Sequence, residues 1–326
     1  MLRIGILGAG KRAHGHLQML KPLAQAGRCR LSAVWDPVVP AREELARDCG
    51  AQAVGGLEDL LKASDAVIVI SPNRFHVEQS IACLEAGKHV YCEKPLALTV
   101  ADADRVVAAV ERTRQLFMTG FSIRWSPVAW HMRRLLNEGQ LGKLLAVTSR
   151  RIAGRKAGDD VHQSGWRADA AQTGGVLAEI LAHELDWLRW VGGEVVSVTA
   201  RTFTYQTEAP PANDHVVAQL HFANGGVGTL EGGWRAFESE YSKSLFGSQG
   251  AAITRDWQRE LWVRGAQAAQ SAKLELPPPP SSDEVFIEAI EKGQQPPSDV
   301  HDGRAIVALT EAVHVSAAEG RSISIK

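Results

Sequence analysis

This sequence of 326 residues lacks the features of several special classes of protein. Its four cysteines include no Cys-x-x-Cys pair. Their spacing fits neither a disulfide framework nor a zinc site and is typical of free thiols in a reducing compartment. The aliphatic run at 66–70 is too short to cross a bilayer. The 36 basic side chains do not outnumber the 37 acidic ones, so nucleic acid is a poor partner. We therefore expect a cytoplasmic protein without a membrane or nucleic-acid partner.

The overall composition is that of a globular protein. Hydrophobic residues make up 45% of the chain and charged residues 22%, which excludes wholesale disorder. At about 150 residues per domain, the length predicts roughly two domains. Strand-like sequence begins at once, from Met1 to Leu7, so we expect no secretory signal peptide.

Strand and helix patterns alternate over the first 120 residues. Short aliphatic segments predict strands at 3–7, 31–35, 66–70, 89–92 and 116–121. Between them, apolar spacing and Pro or Gly boundaries predict helices at 11–25, 40–48 and 75–86 and one that begins at Thr99. This alternation indicates an α/β fold with a parallel sheet covered on both faces.

The pattern changes after Phe121, where we place a domain boundary that divides the chain into 1–121 and 122–326. Helices are expected from Ser126-Pro127 to about Asn137, from Thr173 to Trp190, after Ser281 and over 302–318. Successive strand patterns lie at 144–151, 195–204, 215–222, 226–234, 241–246, 251–257 and 322–325. Asn224-Gly225 is a hairpin signal between two of them, so we expect an antiparallel sheet.

A glycine-rich turn follows the first strand, with the sequence Gly8-Ala9-Gly10-Lys11-Arg12-Ala13. In such a turn the first glycine permits the tight bend and the second lets the backbone approach a pyrophosphate. The helix that follows offers unpaired N–H groups and a partial positive charge to the phosphates. We therefore predict that residues 8–12 bind a dinucleotide.

Asp36 ends the second predicted strand, 23 residues after Ala13. An acid near this spacing binds the adenosine ribose hydroxyls, and its charge repels a 2′-phosphate. Pro37-Val38-Val39 supplies no cation to attract one, so NAD is favoured over NADP. The alternative is an ordinary turn, with Asp36 capping the next helix.

Two further motifs carry a family resemblance. They are Ser71-Pro72-Asn73-x-x-His76 and the segment 86–95, which ends in Glu93-Lys94-Pro95. Together they resemble the signature of the glucose–fructose oxidoreductase/inositol dehydrogenase (Gfo/Idh/MocA) family, and the similarity continues to 317–321. The resemblance implies an N-terminal Rossmann domain, which is a doubly wound parallel sheet that binds NAD. It also implies a C-terminal α+β substrate domain with a large, mostly antiparallel sheet, through which homodimers or homotetramers associate.

The resemblance also implies roles for individual residues. Cofactor contacts would include Ser71, Pro72, Asn73, His76, Glu93 and Lys94. Lys94 would contact both the nicotinamide ribose and the substrate hydroxyl, and His183 would be the proton acceptor. The family's acid four residues earlier is normally aspartate, but here it is Glu179. No metal is implied.

Glu179 and His183 have the i, i+4 spacing that places two side chains on one face of a helix. A carboxylate beside an imidazole raises its basicity and fixes its tautomer. The longer glutamate would alternatively point toward the substrate. His183 is alternatively a core histidine paired with Glu179 or Asp186, and Lys94 an ordinary surface lysine.

Four residues of the second region are candidate substrate contacts: Arg124, Trp125, Trp166 and Arg167. An indole face can stack on the C–H groups of a sugar, and arginine can bridge its hydroxyls. Packing in the core or at an interface is the alternative for each tryptophan.

These observations predict an NAD(H)-dependent oxidoreductase that acts on a secondary alcohol or ketone of a sugar, inositol or related polyol. His183 would take the hydroxyl proton, Glu179 would orient it, and Lys94 would favour the deprotonated hydroxyl. Two alternatives stay open. One is a lyase, epimerase or glycosidase that retains NAD and recycles it in each turnover. The other is a non-catalytic NAD-binding sensor.

Overall fold

The computed structural model describes residues 1–154, 169–204, 214–236 and 238–325. The chain forms two compact units. The first contains Met1–Phe121 and Pro280–Val307, and the second contains Ser122–Pro279 and the chain from Ala308 onward. Residues 280–307 are thus part of the first unit, although they follow the second unit's sheet in the sequence.

The first unit is built on a six-stranded sheet. Its strands are β1 (Leu2–Leu7), β2 (Cys29–Trp35), β3 (Gln52–Ala53), β4 (Ala66–Val69), β5 (His89–Glu93) and β6 (Phe117–Gly120). Every neighbouring pair is parallel, and the spatial order is β3-β2-β1-β4-β5-β6. The strand order reverses between β1 and β4, and ligands of doubly wound sheets bind at the carboxyl ends of the strands at such a point. The predicted fold of this region is confirmed.

Five helices connect these strands: α1 (Lys11–Gln25), α2 (Val39–Cys49), α3 (Leu57–Ala63), α4 (His76–Glu85) and α5 (Val100–Thr113). All four residues of β4 are buried, as expected for a strand covered on both faces. The Thr99 side chain caps α5 by accepting a hydrogen bond from the Asp102 N–H at 3.1 Å. The sequence analysis missed α3, which is only seven residues long and shows little periodicity.

The second unit is built on a nine-stranded sheet. Its strands are β7 (Leu144–Gly154), β8 (Val195–Phe203), β9 (His215–Phe222), β10 (Val227–Ala236), β11 (Glu240–Gly247), β12 (Gly250–Arg255), β13 (Glu260–Gly265), β14 (Ala272–Leu274) and β15 (Ile323–Ser324). The spatial order is β14-β13-β12-β11-β7-β10-β9-β8-β15. Its pairs are antiparallel except β7 with β10, so the predicted mostly antiparallel sheet is confirmed.

The predicted hairpin at Asn224-Gly225 is also confirmed. It joins the antiparallel strands β9 and β10. Gly225 has a φ of +85°, a conformation that favours glycine, and Asn224 Oδ1 accepts a hydrogen bond from the Gly226 N–H at 2.9 Å.

The helices of the second unit are α6 (Pro127–Asn137), α7 (Ala170–Thr173) and α8 (Ala182–Gly192), with a π-helical turn over Leu177–Leu181. The helix predicted from Thr173 to Trp190 is therefore present from Gly175 to Gly192, but it is not a regular α-helix throughout, because the π turn lies within it. Gly174 and Gly175 have φ values of +76° and +73°, which end α7. The π turn then precedes α8, so the regular α-helical geometry assumed for this segment does not apply.

Two helices lie near the end of the chain, α9 (Ser282–Lys292) and α10 (Val300–Glu319). The predicted cap of α9 is present, since Ser281 Oγ accepts a hydrogen bond from the Glu284 N–H at 3.1 Å. In the first unit, α9 packs against β5, where the rings of Phe286 and Tyr91 lie 5.7 Å apart. Among the described residues, no helix has both the length and the apolar character needed to span a bilayer.

Candidate active site

The glycine turn lies between β1 and α1. Gly8 has a φ of +108°, and a Cβ at this position would lie 2.8 Å from the Ser71 nitrogen, so a side chain here would meet backbone. Gly10 caps α1, and a Cβ added there would meet no atom of the described residues within 4 Å beyond its own stretch of chain. The open space in front of a helix N-terminus fits a pyrophosphate. Lys11, the first helical residue, is exposed.

Asp36 follows β2 and lies beside this turn. Its Oδ2 accepts a hydrogen bond from the Ala9 N–H at 2.7 Å, and its Oδ1 accepts one from the Val38 N–H at 2.8 Å. The side chain is thereby fixed, yet a carboxylate oxygen has a second lone pair that can accept from a ribose hydroxyl. Turn and acid therefore fit the adenosine half of a dinucleotide.

Arg12 and Glu93, both predicted at the cofactor, contact each other. Arg12 is in the first turn of α1, and its Nε donates to Glu93 Oε1 at 2.9 Å. Glu93 ends β5 and is 5% exposed. The ion pair joins the helix that carries the glycine turn to the strand that precedes Lys94.

His16 completes this cluster, and the sequence analysis missed it. Its ring is 1% exposed, with Nδ1 at 2.7 Å from Asp283 Oδ1 and Nε2 at 3.1 Å from Glu93 Oε1. Burial opposes the charged imidazole, but the carboxylates of Asp283 and Glu93 outweigh it and raise the pKa of His16 to about 9. The one signal in the sequence is its position four residues after Arg12 on α1.

The segment after β4 carries Ser71, Pro72 and Asn73, and it runs into a 3₁₀ turn over Asn73–Phe75. The Ser71 hydroxyl donates to Gln79, and Asn73 is buried. The Ser71 carbonyl oxygen lies 2.8 Å from Nε2 of His76, the first residue of α4.

His76 also contacts the segment after β5. Its Nδ1 lies 2.7 Å from the Pro95 carbonyl oxygen. Burial again opposes the charged ring, but Cys92 and the carbonyls of Pro95 and Ser71 raise the pKa of His76 to about 9. Lys94, half-buried, lies between Pro95 and Glu93, and its N–H donates to Glu93 Oε2 at 3.3 Å.

In the second unit, Glu179 lies in the π turn and His183 in the first turn of α8. Both side chains are half-buried. The i, i+4 argument assumed a regular α-helix across both residues, and the π turn removes that premise. The pairing of Glu179 with His183 stays a prediction. Single π turns within helices occur frequently at functional sites.

A buried ion pair fixes α8 against the sheet. Its acidic member is Glu184, the residue directly after His183. Glu184 contacts the Lys243 ammonium of β11, accepts from Ser149 Oγ at 2.5 Å and pairs with Arg151 at 3.1 Å. Glu184 and Lys243 are at most 1% exposed. Burial raises the pKa of Glu184, but Lys243 and Arg151 outweigh it and lower that pKa to about 2.

A second buried pair holds α8 two residues further on. Arg124 Nε donates to Asp186 Oδ2 at 2.8 Å, and both side chains are almost completely buried. Trp125, next to Arg124, is buried with its ring 5.4 Å from that of Trp130. Contact of Arg124 and Trp125 with substrate stays a prediction, and Trp166 and Arg167 lie outside the described residues.

No group of three metal-ligating side chains is assembled within the ranges that the structure describes. The polar groups of the first unit instead surround the carboxyl ends of β1, β2, β4 and β5. Ligands of doubly wound sheets bind at this edge, and Arg12 and Lys94 belong to segments that follow β1 and β5 there.

Comparisons with known proteins agree with this geometry. Residues 2–121 match the family model of the Gfo/Idh/MocA oxidoreductases, described as an NAD-binding Rossmann fold, and residues 130–253 match the Gfo/Idh/MocA C-terminal domain. Inositol 2-dehydrogenase from Rhizobium meliloti is 30% identical, with 99% of each chain covered. Myo-inositol 2-dehydrogenase from Thermotoga maritima is 28% identical, with 100% of this chain and 99% of the relative covered.

A solved structure of levoglucosan dehydrogenase in complex with NADH and levoglucosan has the same fold. Its TM-score is 0.89 at 24% identity, with 100% of this chain and 99% of that chain covered. The two family models together span most of the sequence, and the six-stranded parallel sheet of the first unit agrees with the Rossmann fold that the first model describes. The chain therefore belongs to the Gfo/Idh/MocA oxidoreductase family, whose first domain is an NAD-binding Rossmann fold.

Proposed function

We propose that this protein is an NAD-dependent dehydrogenase of a sugar, inositol or related polyol, which oxidises a secondary alcohol or reduces the corresponding ketone. The observation that carries the proposal is similarity over 99% of the chain to an inositol 2-dehydrogenase, combined with Lys94 and His183. The resemblance of the sequence to the family implies a role in the reaction for each of these residues.

The residues of the glycine turn and Asp36 would hold the cofactor. When bound, NAD supplies a nicotinamide ring that exchanges hydride with the substrate carbon. The fixed carboxylate of Asp36 favours ribose hydroxyls over a 2′-phosphate, which supports NAD rather than NADP.

Three side chains would act on the reacting hydroxyl. Lys94 donates a hydrogen bond to its oxygen and stabilises the deprotonated form. His183 accepts the proton, and the ordinary pKa of an imidazole near ~6.5 suits this transfer at neutral pH. Glu179 lies in the turn before α8 and would orient His183 or meet the substrate directly.

An absorbance screen for reduced cofactor tests this proposal. The purified protein is incubated with NAD or NADP and a panel of inositols, aldoses, sugar acids and glycosides. NADH that appears with one stereochemical class establishes the dehydrogenase and names its substrate class. Silence across the panel, with NAD bound to the protein, contradicts it and favours the cofactor-recycling lyase or the sensor.

We also propose a homodimer or homotetramer that associates through the nine-stranded sheet. Phe246, Ile253 and Val217 are exposed and lie on one face of it, opposite the face that carries Lys243. Exposed large apolar side chains that share one face of a sheet are typical of an association surface. Light scattering of the purified protein tests this, and a monomeric mass contradicts it.

The free cysteines support a reducing, cytoplasmic location.

A further inference from the structure

His76 occupies an unusual position between two loops of the first unit. It opens α4, and its ring is 1% exposed. Nδ1 lies 2.7 Å from the Pro95 carbonyl oxygen and Nε2 lies 2.8 Å from the Ser71 carbonyl oxygen. These carbonyls belong to the segments that follow the adjacent parallel strands β5 and β4.

The two acceptors determine which protons the ring carries. A backbone carbonyl can only accept a hydrogen bond, and a neutral imidazole has one N–H and one acceptor nitrogen. A neutral His76 would therefore place a ring lone pair against a carbonyl oxygen in a buried setting, which is costly. Only the imidazolium donates to both oxygens.

We infer that His76 is held as an imidazolium that donates from both ring nitrogens and thereby positions the Ser71 and Lys94-Pro95 segments relative to each other. The inference rests on the proposed function, because it assumes that these segments hold the cofactor and the substrate hydroxyl. His76 is thus a positioning residue. With both nitrogens protonated, its ring has no lone pair with which to act as a base.

The surroundings of the ring are consistent with this state. Among the described residues, the titratable group that faces it is Cys92 of β5. Cys92 and the carbonyls of Pro95 and Ser71 outweigh burial and raise the pKa of His76 to about 9. His89, at the other end of the same strand, has the opposite environment. Its Nδ1 accepts a hydrogen bond from the Leu116 N–H at 3.1 Å, and burial lowers its pKa. His89 therefore serves as an internal reference for a neutral ring.

Nitrogen NMR of protein labelled with ¹⁵N-histidine tests the protonation state directly. At a pH of about 7.5, both ring nitrogens of His76 should resonate as N–H nitrogens, whereas His89 should show one acceptor nitrogen. Loss of the signals in His76→Gln and His89→Gln assigns them. An acceptor nitrogen in the His76 ring at this pH would overturn the inference.

The positioning role is tested by the affinity of the protein for NADH, which is measured by fluorescence titration. Glutamine at 76 can donate to one carbonyl but presents an oxygen to the other, so we expect His76→Gln to bind NADH at least about tenfold more weakly. His89→Gln should bind it as the unchanged protein does. Equal affinities for all three proteins would overturn the positioning role. If His76→Gln does not fold, the ring signals of His76 in the unchanged protein are assigned instead through their correlation with its backbone resonances, and the NMR experiment then decides the inference.

Neither measurement requires turnover. A silent substrate screen together with a doubly protonated His76 and weaker NADH binding in His76→Gln would remove the proposed dehydrogenase and leave His76 as a positioning residue for the cofactor. An active dehydrogenase with a neutral His76 would do the reverse.

Discussion

At the scale of single residues, Asp36 combines an observed role with a proposed one. It accepts hydrogen bonds from the Ala9 and Val38 N–H groups, and we propose that it also binds the hydroxyls of the adenosine ribose. We predict that Asp36→Ser combined with Val38→Arg shifts the preference from NAD toward NADP by about tenfold or more, because the first change removes a carboxylate that repels a 2′-phosphate and the second adds a cation that attracts it. The ratio of the two dissociation constants measures this shift.

The matched control is Asp48→Ser. It removes an exposed carboxylate near the end of α2, the helix that follows Asp36, and leaves the glycine turn unchanged. It should leave the ratio unchanged. A double variant that keeps the original ratio would show that Asp36 does not contact the ribose.

His183 is the proposed base, and its removal should affect the reaction more than the fold. General base catalysis contributes roughly 10²–10⁴ to the rate, so His183→Ala should lower kcat by about that factor. Its melting temperature should stay close to that of the unchanged protein, since the side chain is only half-buried. The exposed His301→Ala is the control, and near-normal turnover of His183→Ala would refute the assignment.

Residues that act through local spacing could be predicted from the sequence, and residues that act through distant partners could not. Asp36 could be identified by its spacing in the sequence, 23 residues after Ala13 at the end of the glycine turn. His16, by contrast, pairs with Asp283, 267 positions away, and nothing local identifies that partner. For the same reason Arg124 gave no indication that it would pair with Asp186 inside the second unit.

At the scale of elements, α8 is the helix whose placement matters most, because it carries His183. Lys243 of β11 is fully buried against Glu184 of α8. We predict that Lys243→Met lowers the free energy of unfolding by about 3 kcal/mol, because it leaves a buried carboxylate with less compensation. Urea denaturation measures the change.

Adding Glu184→Leu to Lys243→Met should restore most of the loss, because replacing both charges by apolar groups removes the uncompensated carboxylate. Lys292→Met breaks an exposed pair with Glu288 and should cost less than about 1 kcal/mol. A double variant no more stable than Lys243→Met would show that the loss comes from packing rather than from charge.

Helices and strands with clear boundaries were predictable from the sequence, as the hairpin at Asn224-Gly225 and the cap at Ser281 show. The segment around Glu179 was not, because a single π turn over Leu177–Leu181 changes the i→i+4 hydrogen bonds to i→i+5 without a residue pattern that marks it in the sequence. β13 and β14 were also missed. They are six and three residues long and have few buried side chains, so their alternation is weak.

At the scale of the whole molecule, the sheets depend on pairings that no local pattern specifies. The parallel pairing of β7 with β10 joins strands about 80 residues apart and turns a series of hairpins into one nine-stranded sheet. The placement of α9 in the first unit, although it follows the second unit's sheet in the sequence, is likewise not specified by any local pattern. Through Asp283, it supplies the carboxylate that holds His16 beside Glu93.

Two buried histidines have raised pKa values and one buried glutamate has a lowered pKa, and together they predict that the protein is most stable in weakly acidic solution. His16 and His76 have ordinary pKa values of 6.5 that are raised to about 9 in the fold. Their contribution is complete below pH 6.5 and is lost as the pH rises through 9, by roughly 3 kcal/mol for each ring. The pKa of Glu184 falls from 4.5 to about 2, so its contribution is lost as the pH falls through that range.

Melting temperatures measured across this range should therefore be highest between about pH 4.5 and 6.5 and should fall on both sides. His16→Gln should flatten the alkaline side, because it removes one of the two rings that must lose a proton, whereas the exposed His301→Gln should not. An alkaline slope equal in His16→Gln and the unchanged protein would mean that His16 is neutral in the fold. Its ring would then donate to only one of the two carboxylates, and the link between α9 and the strand before Lys94 would depend on a proton held by Asp283 or Glu93.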